Sequence, residues 1–395
     1  MTAEELDARI RTLPPAFGIR HFAKGITPLA QISGPERKAM ARILLGCLVG
    51  RIPAKGITAC RDILDFIYLA QYTTHDDGTL ACLKEALDVW HENREFFILA
   101  GVRTDFNIPK FHSLIHYIDF IRFFGTTDNY NTEMFERLHI DFAKNGWRAS
   151  NRRDEFPQMI TWLGRQEKLL SRITENHKAP SFLPSLKEYL NQFGNHLPAA
   201  QLQAAKLPFS RLDIYHNFKF EPTSLDPAGA DDGTATAESS QTVIACPAAT
   251  DGTPARFDTA IAREKGTGEA TGLTGMRVVR VKVLFKLPTQ LDNGDPAPRS
   301  WPKDPLAYVE CFSSFRPSHE PNHNMFAISK PPPRADGSLR GSVIYLSDIR
   351  QICQLFPNFG RADVNPQWTS DNVLDQCSSF LLNNWASLYS YQSMW

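Results

Sequence analysis

Large apolar residues recur three and four positions apart through roughly the first 200 residues, and alternation at every second position takes over after residue 275. The first rhythm is that of amphipathic helices, the second that of half-buried strands. "PERKAMARILLGCLVG" (35–50) predicts a helix with Pro35 in its first turn and Gly50 near its end. "GITACRDILDFIYLAQY" (56–72) is strongly apolar and predicts a central helix. "DGTLACLKEALDVWHENREFF" (77–97) sets Leu80, Leu83, Leu87 and Trp90 on one face. "IPKFHSLIHYIDFIRFFG" (108–125) predicts a helix from Pro109 to Gly125, and "DEFPQMITWLGRQEKLLSRITENH" (154–177) another, with Asp154 as cap. Strands are expected in "MRVVRVKVLFKLP" (276–288), "LAYVECFSSF" (306–315), "NMFAISK" (324–330) and "GSVIYLSDI" (341–349). "RLDIYHNFKFE" (211–221) also has strand character and is expected to add an edge strand to the same sheet.

Between these zones the composition changes. Residues 223–272 are rich in Ala, Gly, Thr, Asp and Pro and poor in large apolar side chains. Such a stretch has little to offset the entropy of ordering and reads as a disordered linker. The chain therefore divides into a helical unit (1–200), a connecting segment with strand character (201–222), the linker (223–272) and a small β-rich domain with an aromatic tail (273–395). The fold class expected is α+β, an all-helical N-terminal half followed by a small β-barrel or sandwich. So many exposed aromatics in the tail would be unusual, so it should pack on the β domain.

Composition narrows the function classes. Lys+Arg and Asp+Glu are both 43, so the net charge is zero, and affinity for nucleic acid has to come from a local patch. Seven scattered cysteines with no C-x-x-C argue against a disulfide framework and a zinc ribbon. No apolar run approaches the ~20 residues needed to span a bilayer, so no membrane partner is expected. A soluble, intracellular protein is the reading.

The densest polar stretch is "DNYNTEMFERLHIDFAKNGWRASNRRDEF" (128–156). On a helix, Glu133, Glu136 and His139 fall three apart and share a face. Neighbouring carboxylates repel unless they are solvated or a cation lies between them. A solvated helix N-terminus capped by Thr132 explains the same spacing. His112 and His116, at i and i+4 in "KFHSLIHY", have the spacing of two ligands to one metal, and equally that of two core or interface histidines. Lys144, Arg148, Arg152 and Arg153 carry no acidic residue among them and enclose Trp147. Such a cluster can neutralise phosphates while the indole stacks on an unpaired base, or simply complement a helix dipole.

The block "FNIPKFHSLIHYIDFIRFFGTTDNYNTEMFERLHIDFAKNGWRASNRRDEFPQMITWLGRQEKL" (106–169) resembles the Plavaka-type transposases of mushroom-forming fungi, elements allied to the CACTA group. The resemblance extends through "LPPAFGIRHFAKGITPLAQISGPERKAMARILLGCLVG" (13–50) and "LDFIYLAQY" (64–72). It continues in "LDIYHNFKF", "AYVECFSSF", "SDIRQICQLFPNFG" and "NNWASLYSYQSMW", so it covers most of the chain outside 223–272. It implies a ribonuclease-H-like fold with a D-D-E site in which three carboxylates hold two divalent ions, Mg2+ or Mn2+. Phe135-Glu136-Arg137 matches the motif of the last acid. Glu136 is therefore the implied catalytic and metal-binding carboxylate, with Glu133 second and His112, His116 and His139 in support.

The two aspartates of that pattern belong at strand ends, whereas Asp62, Asp65, Asp76 and Asp77 fall in helix or turn contexts. The expectation is the C-terminal portion of a transposase, a remnant that binds no metal alone and does not cut DNA alone. Residual DNA binding, association with full-length transposase chains and, if functional, a nuclear location are implied. Two rivals stand beside it: a metal-dependent DNA-cleaving subunit completed in trans by a chain carrying the aspartates, and a protein-interaction module without DNA affinity.

Overall fold

The computed structural model describes residues 1–127, 167–194, 196–222, 240–248, 252–264, 272–333, 339 and 341–394. It divides into two units, Met1–Arg51 with Gln166–Trp395, and Ile52–Arg165. The first unit begins with helices α1 (Ala3–Thr12) and α2 (Gly34–Leu48). A reciprocal cap starts α2: the Ser33 hydroxyl accepts the Glu36 N–H at 3.4 Å, and the Glu36 carboxylate accepts the Ser33 N–H at 2.9 Å. The second unit holds α3 (Ala54–Leu69), α4 (Asp77–Asn93), α5 (Phe96–Leu99), α6 (Pro109–Ser113) and α7 (Tyr117–Phe124). Leu80, Leu83, Leu87 and Trp90 are buried along α4, as their spacing requires.

The rest of the first unit contains helices α8 (Leu170–Asn176), α9 (Phe182–Asn191), α10 (Ala199–Ala204), α11 (Val373–Gln376) and α12 (Leu388–Ser393). Its strands are β1 (Glu167–Leu169), β2 (Arg211–Tyr215), β3 (Asn217–Phe220), β4 (Gln241–Cys246), β5 (Arg256–Phe257), β6 (Thr259–Arg263) and β7 (Met276–Lys286). They continue with β8 (Leu306–Ser314), β9 (Ala327–Ser329), β10 (Gly341–Tyr345), β11 (Ile349–Cys353), β12 (Leu355–Pro357) and β13 (Ser379–Leu382). The class is mixed, helices with antiparallel sheets.

β7 is the spine. One edge pairs with β8 from Arg277↔Ser314 to Phe285↔Leu306. The other edge is shared between β6, from Thr259↔Arg280 to Arg263↔Met276, and β2, from Asp213↔Lys286 to Tyr215↔Leu284. β1, β10 and β11 extend this sheet from β2, β8 and β6.

Four expectations change here. The sheet does not close into a barrel: its path ends at β1 and β11, and other elements cover its faces. On one face the α9 residue Phe182 sets its ring 5.4 Å from Phe285 and 5.5 Å from Tyr308, edge to face. On the other, β3–β4–β5 packs Val243, Ala245 and Phe257 against Val279, Val281 and Leu284. The 223–272 stretch is not a linker throughout, since β4, β5 and β6 lie inside it. Their small residues, Ala245, Ala260 and Ala262, look weakly apolar in sequence, yet they let a second sheet approach β7 closely. The helical unit expected over 1–200 and the β domain over 273–395 regroup as well. Residues 1–51 and the helices after 166 belong with the strands, and 52–165 stands between them in the chain. "RLDIYHNFKFE" splits at His216: β2 joins the β7 sheet, with β1 beyond it, while β3 pairs with β4. The aromatic tail is packed as expected, with Trp385, Tyr389 and Tyr391 buried.

Arg9 on α1 ties the early helices to the late strands. Its Nη1 donates to the carbonyls of Cys47 (3.0 Å) and Val49 (2.9 Å), and Nη2 to those of Gly360 (3.3 Å) and Ala362 (3.2 Å). Nε donates to Glu5 at 2.8 Å, and the guanidinium lies 4.9 Å over the Phe359 ring. The chain passes closest at Gly50, where φ is +81° and an added Cβ would sit 2.1 Å from the Gly360 oxygen.

All seven cysteines are unpaired. Among the described residues no helix is long and apolar enough to cross a membrane.

Arg9→Met should destabilise the protein by about 2–4 kcal/mol, because it removes the donors of four backbone carbonyls, the Cys47 carbonyl among them buried, and one of the partners of Glu5. Arg9→Lys should recover little, since one ammonium cannot reach acceptors arranged for a planar fork. Urea denaturation checks both.

Lys282, 1% exposed on β7, has its Nζ 4.0 Å from the Phe257 ring centre. Burial lowers its pKa from 10.5 to about 8, against the opposing pull of Glu310. Its folded pKa lies below its unfolded one, so between the two the unfolded chain binds the extra proton, and stability rises with pH across that window. Lys282→Met should raise stability at pH 7 by about 2–3 kcal/mol. The wild-type minus variant difference should shrink from about pH 8 upward; a constant difference across pH would remove the assignment.

Candidate functional site

The second unit positions its polar chemistry on a helix that changes pitch. α6 opens at Pro109 after extended Ile108; Leu114–His116 then tightens to a 3-10 turn, α7 resumes at Tyr117, and Gly125 at φ +83° ends it. The single helix expected over 108–125 is thus two α segments around a tight turn, and that turn carries His116. The imidazoles of exposed His112 and half-buried His116 face each other with Nε2 atoms 3.4 Å apart, ring centres 5.1 Å apart and planes at 81°.

That separation has a chemical meaning. Two nitrogens about 2.0–2.1 Å from a zinc ion at a tetrahedral angle lie about 3.3–3.4 Å apart. The pair is therefore spaced as two corners of a tetrahedral nitrogen site, and the same distance lets one ring donate weakly to the other. Nitrogen donors suit zinc, copper or nickel; magnesium and manganese prefer carboxylate and water. The described pair alone does not fit the Mg2+ or Mn2+ that the D-D-E pattern implies.

Below the stripe continues as Phe120 and Phe124, each about one turn further on, with ring centres 6.0 Å from the preceding member. Phe120 is 46% and Phe123 81% exposed on this helix. On the other side of His112 an open cavity of about 720 Å³ is lined by His91, Arg94, Asp105, Phe106 and Phe111 among others. Its aromatic wall is ordered: Trp90 stacks on Phe111 at 4.9 Å and meets Phe106 edge-on at 5.7 Å. Arg94 lies over Trp90 (5.2 Å) and Phe106 (5.3 Å), and Arg103 over Phe106 and Phe111 (5.5 Å each). Burial, helped by nearby Arg94, moves the His91 pKa down and favours the neutral ring there.

The aspartates have structural partners. Arg61 Nη2 lies 2.5 Å from Asp62 and its Nε 3.7 Å from Asp65. Burial nevertheless raises the Asp62 pKa, Arg61 opposing it. Asp76 caps α4 by accepting the Thr79 N–H at 2.7 Å, a bond that holds its pKa low, and Asp77 pairs with Arg122 at 2.9 Å. Among the described residues no group of three or more His, Cys, Asp or Glu side chains comes together.

Glu133, Glu136, His139, Lys144, Trp147, Arg148, Arg152 and Arg153 lie outside the described residues, as does the helix expected over 130–146. Of the expected site, the structure therefore places His112 and His116 together and is silent on the rest. Sequence reading missed Arg94 and Arg103. Their only signal was proximity to aromatics in "HENREFF" and "VRTDFNIPKF", segments whose rings meet only in the fold. No protein-family model, curated protein or solved structure matches the chain.

Zinc or nickel should bind the His112–His116 pair and broaden both imidazole NMR resonances together. His116→Ala should abolish the effect, and acidification should weaken it, since protonated imidazoles do not ligate. Selective broadening that persists in His116→Ala would mean the pair is not the donor set.

Proposed function

We propose that the chain is derived from a Plavaka-type D-D-E transposase, does not cut DNA alone, and retains weak DNA association through the 144–153 patch or association with transposase chains. The observation that carries this reading is the preformed His112–His116 pair, immediately upstream in the chain of the Phe135-Glu136-Arg137 motif. The sequence blocks that resemble the family put a histidine-containing segment there. A ribonuclease-H-like origin of the helical part belongs to the same proposal. Supporting the catalytic incompleteness, Asp62, Asp65, Asp76 and Asp77 are each committed to an ion pair or a helix cap. Two divalent ions need bridging carboxylates, and Glu136, with Glu133 beside it, supplies too few to hold both.

A second reading has its own support. The exposed Phe120 and Phe123 on α7 suit contact with another protein chain, as a nuclease subunit completed in trans requires.

Nicking of supercoiled plasmid with Mg2+ or Mn2+, and fluorescence-anisotropy titrations at several salt concentrations, test both readings. The purified chain should not nick. Four phosphate contacts give a log–log salt slope of about −3 to −4 on duplex DNA. Replacing Lys144, Arg148, Arg152 and Arg153 by alanine should flatten that slope, whereas Glu136→Ala should leave binding unchanged. Metal-dependent nicking by the chain alone that Glu136→Ala abolishes would overturn the proposal. Nicking only on mixing with an aspartate-bearing transposase segment would establish the second reading.

A further inference from the structure

The first unit contains a cavity that the transposase reading does not use. It measures about 260 Å³ and lies where α2, β4 and β11 meet the segment leading into α12. Phe17, Ile352 and Leu388 give it apolar walls, Arg42 is the one cation among its lining residues, and no acidic side chain lines it.

Arg42 is unpaired in a specific way. Its Nη1 donates to the Gly18 carbonyl at 2.9 Å, while Nε is buried with no partner. No carboxylate forms an ion pair with it among the described residues. The bond to Gly18 occupies Nη1, the buried Nε is out of reach of the cavity, and Nη2 is left as the donor for one carboxylate oxygen. Gln241, 8% exposed, accepts the Ile352 N–H at 2.7 Å through Oε1. Its amide is thereby oriented, and its NH2 has no acceptor among the described residues.

A second guanidinium lies behind the first wall. Arg350, 1% exposed, sits at the bulge of β11 near Tyr389, which also lines the cavity. Its Nη1 donates to the Gly272 carbonyl at 2.7 Å, and its Nε and Nη2 are buried without partners. A buried guanidinium without a counter-ion, such as that of Arg350, and a half-buried one beside it at Arg42 favour an anion between or near them.

We propose that this cavity binds a small organic carboxylate, its carboxylate on Nη2 of Arg42 and its apolar body against Phe17, Ile352 and Leu388. One lining cation balances one negative charge. A phosphate dianion would find a single lining cation and mainly apolar walls. The size of the cavity admits a short acid and excludes a polymer.

Phenylacetate, phenylacetamide and inorganic phosphate are the probes, with binding to the full chain read by isothermal titration calorimetry and by the shift in Tm. Phenylacetate should bind with a Kd on the order of 1 mM and raise Tm with concentration. The uncharged amide and phosphate should do neither. Arg42→Gln should weaken phenylacetate binding at least ~10-fold, the scale of one charge-assisted hydrogen bond. Phe17→Ala, at a partly exposed lip position, should weaken it without altering charge, and it decides the matter if Arg42→Gln fails to fold. No response to phenylacetate, an equal response to the amide, a response to phosphate alone, or undiminished binding in either folded variant would overturn the assignment.

Discussion

A single buried guanidinium, that of Arg9, makes residues 1–51 part of the strand-rich unit. The charge is expensive to remove from water, and four backbone carbonyls, one carboxylate and one aromatic face together offset that expense. Two carbonyls come from the end of α2, and two lie more than 350 positions away in sequence. The unit is therefore discontinuous in the chain, and residues 52–165 are an insertion between α2 and β1. Gly50 and Gly360 follow from the same constraint. A fork that gathers carbonyls from two loops needs them close, and only a residue without Cβ fits where φ is +81° and the facing oxygen would lie 2.1 Å from a Cβ.

Around that clamp the sheet obeys a second rule: β7 is longer than any of its partners. Eleven residues give it room for β6 and β2 end to end on one edge and β8 on the other, so helix and strand layers can cover both faces without closure. Charges remain in this interior. Arg280, next to Thr259 and Glu310 across the ladders, reaches Asp375 at 2.5 Å, and Lys330 donates to the Asp375 carbonyl at 2.6 Å. Burial raises the Asp375 pKa, but Arg280 more than compensates and the net shift is downward. The pair thus holds its charge where Lys282, with no partner so close, is pushed toward neutrality.

What the sequence disclosed depended on how local the physics was. β7 and β8 were legible because valine and aromatic alternation is a property of neighbouring residues. The start of α2 was legible because Pro35 signals it within one turn. β4 and β6 were hidden, since Ala245, Ala260 and Ala262 earn their burial from strands far along the chain, and composition alone makes such a stretch look unable to fold. Arg9 was hidden too: in "AEELDARIRT" it is one charge among several on a polar helix, and nothing nearby shows that its partners are carbonyls of residues 47, 49, 360 and 362. The histidine pair was legible from its i, i+4 spacing. Its separation of 3.4 Å was not, because the tight turn at Leu114–His116 has no strong residue signal.

That separation also limits what the second unit does on its own. Neutral imidazoles donate lone pairs but bring no negative charge, so they hold a nitrogen-loving ion without neutralising it. Phosphoryl transfer by two hard cations requires carboxylates that both bind and balance them. Asp62 and Asp65 are tied to Arg61, Asp76 to the α4 cap and Asp77 to Arg122, and freeing any of them would undo a helix or expose a cation. The histidine pair is thus suited to fixing the geometry of α6 and α7 ahead of the 128–153 stretch. Two-metal cleavage would have to draw its negative charge from carboxylates other than those of these four aspartates.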